Sequence, residues 1–460
     1  MLFGTDGIRG VAGDPPLDHP TVFAVGAALG RHLARKQSGA RVVLGQDTRE
    51  SSSWIAASLV QGLQWAGVES ESAGVITTPA VAYLARRNGF AAGIVISASH
   101  NPWTDNGIKV FGHDGYKLSD EVEEQIEADI FSLLHGKTPE LENPPQIPAQ
   151  NNGASISAIT HPELLDAYVN WLAASVAGSA IQGLRVLVDC ANGAATPVAH
   201  RVLETCGIRA DYMHDSPNGR NINEQCGALH PKVVAEGIRK ASGKYDLGIT
   251  FDGDADRALF SDAAGNVVNG DGVLLLAGRD MKTRGLLRSD TVVATTMSNM
   301  GLEIALKRSG IRMLRAPVGD KYVLEEMQKT GAALGGEQSG HILFRDGDAT
   351  TGDGIMTALR VMEVLARTGR SLAELVSDLK VFPQIIKNIR VREKRPLEQI
   401  PEVAVIIRAA EQELNGSGRV VVRYSGTEAL ARVMVEAESE EQMSRITESI
   451  AGAIQKSLGI

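Results

Sequence analysis

Leu247-Gly248-Ile249-Thr250-Phe251 runs directly into Asp252-Gly253-Asp254-Ala255-Asp256-Arg257. The first stretch reads as a buried strand that begins near Asp246, because it is short, apolar or β-branched, and ends in a turn signal. The second places three carboxylates at i, i+2 and i+4, a spacing that lets them converge on one hard cation through oxygen. A calcium loop of the EF-hand kind needs Gly at its sixth position and Glu at its twelfth. Here those are Arg257 and Ala263, so that reading fails. Mg²⁺ is the expected occupant, held by Asp252, Asp254 and Asp256, with Arg257 as a fixed positive charge beside it. A solvated acidic turn is the plain alternative; three aspartates straight after an apolar strand weigh against it.

Outward from this point the chain alternates helix and strand, the mark of α/β layers. Towards the N-terminus a helix is expected over His19–Lys36, then a strand over 41–44, helices over 52–66 and 80–87, and a strand over 92–96. A Pro- and Asn-rich linker follows at 136–158. Strands are expected at 185–189, 291–295 and 313–316. The final segment changes character: a strand at 389–391, a helix within 401–415, strands at 419–423 and 431–437, and a closing helix to Leu458.

Three further loops carry chemistry. Ser97-Ala98-Ser99-His100-Asn101-Pro102 follows an apolar strand, where Ser99 is a nucleophile candidate; a turn or helix cap before Pro102 is the alternative. Lys109 is close enough in sequence to return to the same place, or is an ordinary surface lysine. Gly335-Gly336-Glu337-Gln338-Ser339-Gly340-His341 puts Glu337 and Ser339 on one side, suited to adjacent sugar hydroxyls, with His341 a proton carrier or a structural histidine. Arg423-Tyr424-Ser425-Gly426-Thr427-Glu428, with Arg432 beyond it, offers two hydroxyls, backbone N–H groups and guanidinium groups to a phosphate; taken alone, a polar β-hairpin loop is an equal alternative. No Walker A, Rossmann, HExxH or G-x-S-x-G pattern competes with these.

Composition narrows the class. At 460 residues the chain predicts two to four domains. Its net charge of −9 argues against nucleic-acid binding by bulk electrostatics, and means that a phosphate must be captured by local cations. Three cysteines without CxxC spacing point to a reducing compartment rather than a disulfide framework or a structural zinc site. With no signal core and no apolar run of transmembrane length, a soluble cytoplasmic protein is expected.

Taken in order, the four loops resemble the α-D-phosphohexomutase family, with its SHNP phosphoserine loop, DGDxDR metal loop, GExSGH sugar loop and RxSGT phosphate loop. The likeness runs from Phe3-Gly4-Thr5-Asp6-Gly7-Ile8-Arg9-Gly10 to Arg432. Together with 97–109 (SASHNPWTDNGIK), 188–195 (VDCANGAA), 221–231 (NINEQCGALHP) and 351–355 (TGDGI), it is greatest to bacterial members that act on glucosamine phosphate.

The resemblance implies an α/β fold of four domains around a central cleft. Three are α/β with mixed sheets (1–150, 151–255 and 256–370), and a smaller α+β domain spans 371–460. It implies an isomerase that carries phosphate on Ser99, which also contributes to the Mg²⁺ site with the three aspartates, and a sugar 1,6-bisphosphate as intermediate and activator. Arg423, Ser425, Gly426, Thr427 and Arg432 would hold the phosphate that is not reacting, while Glu337 and Ser339 hold ring hydroxyls. Lys109, helped by Arg9, is the expected general acid/base, its pKa lowered by burial and neighbouring cations; His100 and His341 are alternative carriers. The implied setting is amino-sugar metabolism, supplying UDP-N-acetylglucosamine and peptidoglycan precursors, by a monomer or homodimer. A phosphoglucomutase/phosphomannomutase and a Mg²⁺-dependent sugar phosphatase are the competing activities. Departures from the family pattern are Gln46, Ala255 in place of the middle glycine of the metal loop, Lys321 and Ala429.

Overall fold

The computed structural model describes residues 2–4, 6–136, 160–345, 347, 349–425 and 429–459. The expected linker falls outside them apart from Gly136, as do Gly426 and Thr427 of the fourth loop.

Four sheets follow one another along the chain. The first holds β1 (Ile8–Val11), β2 (Arg41–Gln46), β3 (Glu69–Val75), β4 (Ala92–Ile96) and β5 (Asp105–Gly112), in the order β1-β5-β4-β2-β3. The second holds β6 (Arg185–Asp189), β7 (Arg209–Met213), β8 (Leu247–Phe251), β9 (Ala258–Ser261) and β10 (Val267–Val268), in the order β10-β9-β8-β6-β7. The third holds β11 (Thr291–Thr295), β12 (Arg312–Ala316), β13 (Leu334–Gly336) and β14 (Ile342–Phe344), in the order β12-β11-β13-β14. The fourth is a smaller antiparallel sheet of β15 (Gln384–Arg390), β16 (Gly418–Tyr424) and β17 (Leu430–Ala437), in the order β15-β17-β16.

The first three sheets repeat one topology. Each has three parallel strands, the earliest in the middle, and then an antiparallel strand that returns beside the latest of the three. The turn at that reversal lies at the carboxyl end of β4, β8 or β13, where open α/β sheets place their ligands. All three turns carry chemistry: Ser99 between β4 and β5, the aspartates between β8 and β9, and Glu337, Ser339 and His341 between β13 and β14.

The expected division at 255/256 falls inside the second sheet. Phe251 of β8 pairs with Ala258 of β9, and that sheet continues to Val268. Likewise, Leu372 and Leu375, just past the expected division at 370/371, belong to a core cluster that runs through the first, second and third sheets.

Helices cover the sheets with their apolar faces. The helix His19–Lys36 begins with Asp18 capping the Thr21 N–H and ends in Arg35 and Lys36, which complement its dipole. It lies so close to the helix Ser52–Trp65 that a Cβ on Gly26 would sit 2.1 Å from the Leu59 carbonyl oxygen; only glycine allows that approach. The fourth sheet is fastened to the third by a buried polar knot. Glu436 is fully buried, pairs with Arg419 and accepts from the Met300 N–H (3.1 Å), while Arg419 donates to the carbonyls of Thr296 (2.8 Å) and Ser298 (2.7 Å). Among the described residues no helix is long and apolar enough to cross a membrane.

Candidate active site

Ser99 is buried at the end of β4, with φ at +52°, a left-handed conformation that a non-glycine residue keeps only when its surroundings hold it. What holds it is Arg49. This side chain is wholly buried beside Asp47, to which its Nε donates at 2.8 Å. Its two terminal nitrogens donate to the carbonyls of Ser99 (2.9 Å), Asn101 (2.9 Å), Asp105 (3.0 Å) and Pro102. Asp47 in turn accepts from Ser97 Oγ (2.7 Å), and that Oγ accepts the Ser99 N–H (2.9 Å). The loop's backbone is thus wrapped around one guanidinium, whose planar fork of five donors suits several acceptors at once. Asn223, from the second domain, adds a bond to the Ser99 carbonyl (2.9 Å).

Ser99 Oγ donates to Asp252 Oδ2 at 2.6 Å. The backbone of the acidic loop is equally close: a Cβ on Gly253 would lie 2.5 Å from the Ser99 carbonyl oxygen. Ala255, where the family has glycine, takes φ +55°, so the loop keeps the left-handed bend that glycine would adopt freely.

Asp252, Asp254 and Asp256 each offer an oxygen within 4.8 Å of the other two, and all are buried. Burial and the two neighbouring carboxylates push Asp252 well above the usual carboxylate range. Oδ1 of Asp254 and Oδ1 of Asp256 are buried and have no hydrogen-bond partner. Three crowded carboxylates with two orphaned oxygens fit a hard divalent cation, which would satisfy both and relieve the repulsion.

Lys109 departs from expectation. It lies on β5, a strand that begins with the turn-like Asp105-Asn106-Gly107, and its Nζ is surrounded by Asp254 (2.9 Å), Asp6 (3.1 Å) and Asp256 (3.5 Å). Burial opposes the charge, but the three carboxylates outweigh it and hold the pKa well above its ordinary value. The direction is the opposite of the anticipated lowering, and these carboxylates favour the ammonium form of Lys109. Arg9, on β1, pairs with Asp6. Lys117 bridges Asp6 and Asp320, at 2.6 Å each.

Of the two histidines, His100 is driven down to about 4 by burial and by Arg257 and Arg9, so it is neutral at physiological pH. Its Nδ1 lies 3.4 Å from Ser99 Oγ and 3.3 Å from Arg257 Nη1. His341 faces Asp256 (3.7 Å) and Asp320 (3.8 Å). Burial disfavours its charge, yet these carboxylates raise it to about 9. Its Nδ1 is the nitrogen turned to Asp256, and the Gly352 nitrogen lies 3.1 Å from Nε2. Glu337 accepts from the Gly319 N–H (3.1 Å) and from Ser339 Oγ (3.0 Å).

A cavity of about 390 Å³ joins these groups; Asp6, Arg9, His100, Arg257, Glu337 and His341 line it. Arg423, Ser425 and Arg432 do not. Arg423 and Arg432 are instead cross-strand partners on β16 and β17.

Asp6, Lys117, Asp320, Arg49 and Asp47 belong to this site although the four loops do not contain them. Asp6 and Asp320 lie in glycine-flanked stretches, Gly4-Thr5-Asp6-Gly7 and Gly319-Asp320, which was a usable signal. Lys117 and Arg49 carry none, since only the fold brings them in.

Comparison with known proteins gives the same picture. Models of the four phosphoglucomutase/phosphomannomutase domains match the chain: the alpha/beta/alpha domains I, II and III at residues 1–135, 166–265 and 269–382, and the C-terminal domain at 386–453. The chain belongs to this family. Within the phosphoglucomutase/phosphomannomutase family it is similar to the phosphoglucosamine mutase of Koribacter versatilis, 63% identical over 463 residues, covering 100% of this chain and 98% of that protein. That of Solibacter usitatus is 49% identical over 458 residues, covering 100% and 99%.

Solved structures share the fold. A phosphoglucomutase/phosphomannomutase family protein of Burkholderia thailandensis superposes with a TM-score of 0.78 at 23% identity, over 100% of this chain and 99% of that one. The N-acetylphosphoglucosamine mutase of Aspergillus fumigatus, solved in complex with GlcNAc-6P and magnesium, gives 0.69 at 20%, over 99% and 96%. The chain is a phosphohexomutase, an isomerase.

Proposed function

We propose that this protein interconverts glucosamine 6-phosphate and glucosamine 1-phosphate in the cytoplasm, passing a phosphoryl group through Ser99. The single observation that carries the reading is the 2.6 Å bond from Ser99 Oγ to Asp252 at the mouth of the buried aspartate trio. The substrate is taken from the 63% likeness to a phosphoglucosamine mutase.

Asp252, Asp254 and Asp256 would hold Mg²⁺, which when bound supplies charge neutralisation at the phosphate on Ser99. Phosphoryl transfer needs positioning and neutralisation more than covalent help, and the chain's own residues are arranged for both. Arg49 fixes the loop that presents Ser99. Lys109, Arg257 and Arg9 are permanent cations around the reacting phosphate. A sugar hydroxyl attacks phosphoserine to give the 1,6-bisphosphate and frees the Ser99 oxygen. After the sugar turns, Ser99 attacks the other phosphate, and its hydroxyl proton already points to Asp252 Oδ2. His100, neutral and 3.4 Å from Ser99 Oγ, is the proposed proton carrier in place of Lys109. Glu337 and Ser339 hold the ring in either orientation. For Arg423, Ser425, Thr427 and Arg432 to grip the distal phosphate, the fourth domain must approach the cavity.

The test is turnover on glucosamine 6-phosphate, glucose 1-phosphate and mannose 1-phosphate, each with Mg²⁺ and a trace of the matching bisphosphate. The expected kcat/KM is at least about ten-fold higher for the glucosamine substrate. Equal or better turnover of a neutral sugar reassigns the substrate, and phosphate release without isomerised sugar overturns the mutase reading.

A further inference from the structure

We propose that Asp189, His214 and Cys226 form a second metal site, separate from the aspartate loop, which takes a borderline-soft divalent cation of the zinc class. A carboxylate oxygen of Asp189, a ring nitrogen of His214 and Cys226 Sγ all lie within 4.8 Å of one another. Ligands bonded at about 2.0–2.3 Å to a tetrahedral ion need only a small contraction from that spacing. The sequence reaches this arrangement through the second sheet. Asp189 ends β6, His214 follows directly after the neighbouring parallel strand β7, and the loop from His214 returns to bring Cys226 beneath them.

The donor set is oriented in advance. Asp189 is fully buried; its Oδ1 accepts the Ala191 N–H (2.8 Å) and its Oδ2 the Gly227 N–H (2.9 Å), while Oδ1 faces His214 Nδ1 at 3.1 Å. Outer contacts of this kind fix a carboxylate ligand for its metal. Cys226 is buried and not in a disulfide, whereas the His214 side chain is 30% exposed. The cluster therefore reaches the surface on its His214 side. Ala191, Asn192, His214, Asn223 and Gln225, all at positive φ, gather around the place; such backbone persists only where something over-determines it.

Donor chemistry separates the two sites. The aspartate loop offers only oxygen and suits Mg²⁺; a thiolate and an imidazole select a softer ion. Binding releases the Cys226 proton to the solvent. Its place in the fold gives it a purpose. Three residues before Cys226, Asn223 donates to the carbonyls of Ser99 (2.9 Å) and Asn101 (3.2 Å), so an ion here would brace the loop that holds the nucleophile's loop.

The experiment uses the full chain, reduced, stripped with chelator, and saturated with Mg²⁺ to fill the aspartate loop. Titration with Co²⁺ is expected to raise a near-ultraviolet thiolate-to-cobalt band that saturates at one equivalent and is displaced by Zn²⁺. Cys226→Ser should remove the band with the far-ultraviolet circular dichroism unchanged. His214→Ala, at a half-exposed position that spares the core, should weaken Co²⁺ binding at least about ten-fold. Absence of the band in the wild type overturns the proposal. So does a band that survives Cys226→Ser, which would place the thiolate at Cys190 or Cys206, or a titration unmoved by His214→Ala. Any of these leaves Asp189–His214 a simple ion pair.

Discussion

The Ser99 hydroxyl and the Asp252 carboxylate are 2.6 Å apart, although 153 residues separate them in the chain. The contact joins the reversal turns of two different sheets. Both turns are pressed together at backbone level, where Gly253 leaves no room for a side chain against the Ser99 carbonyl. Ser99→Ala removes one oxygen and disturbs none of this. With bisphosphate supplied, turnover should fall by about three orders of magnitude or more, while the thermal transition stays near wild type. Full activity in that variant would take Ser99 out of the mechanism.

Arg49 should matter to rate and little to binding, because it touches the Ser99 loop through carbonyls and lines none of the cavity. Arg49→Lys keeps a charge opposite Asp47 but cannot reach four acceptors from one planar fork. A displacement of the nucleophile by about an ångström costs on the order of a hundred-fold. The expected result is that loss in kcat with KM close to wild type. A variant that changes KM and spares kcat would contradict the positioning role.

What could be read in the sequence depended on locality. The strands 92–96, 185–189 and 291–295 were visible because fully buried strands are short, continuous apolar runs, and the three aspartates because their spacing is itself the chemistry. Lys109 shows the limit. Its strand opens with Asp-Asn-Gly, whose Asn-Gly is a turn signature, and an ordinary surface lysine was the open alternative. Its pKa is lowered by burial and Arg9 and raised by Asp254, Asp6 and Asp256, which are remote in the chain, and no local reading could find that the carboxylates win. The same holds for Arg49, which apart from the nearby Asp47 bonds to backbone carbonyls that leave no trace in residue type. The division at 255/256 missed because the acidic loop looks like an end, while the sheet continues through an antiparallel return to Val268.

Glu436→Ala should loosen the fourth domain. Its carboxylate is fully buried and is the acceptor for Arg419, the Met300 N–H and Asn299 Nδ2 (3.4 Å). Removing one member of a buried ion pair costs about 3–5 kcal/mol because the other is left uncompensated. Calorimetry should show the domain that carries Arg423 and Arg432 melting earlier. KM for the sugar phosphate should rise, as it should in Arg423→Ala, whose own thermal transition stays near wild type. An unchanged KM in both would remove the fourth domain from phosphate binding.

Asp353 provides a test of pH dependence away from the reacting atoms. It is buried, caps the helix Gly354–Thr368 through the Met356 N–H (2.9 Å), and accepts from Tyr168 OH (2.6 Å). Burial nevertheless raises its pKa from 3.8 to about 6. Between those values the folded chain holds a proton that the unfolded chain has released. Stability from this group is therefore full below pH 3.8 and is lost as pH rises through about 6, a change of about 3 kcal/mol. An asparagine keeps a capping oxygen and never charges. Asp353→Asn should match wild type near pH 4 and exceed it by up to about 3 kcal/mol near pH 7.5, read from urea midpoints with an unchanged m-value. If instead the variant is the weaker protein at pH 7.5, the ionised Asp353–Tyr168 bond stabilises the fold by more than burial of its charge costs, and the direction given for this carboxyl is wrong.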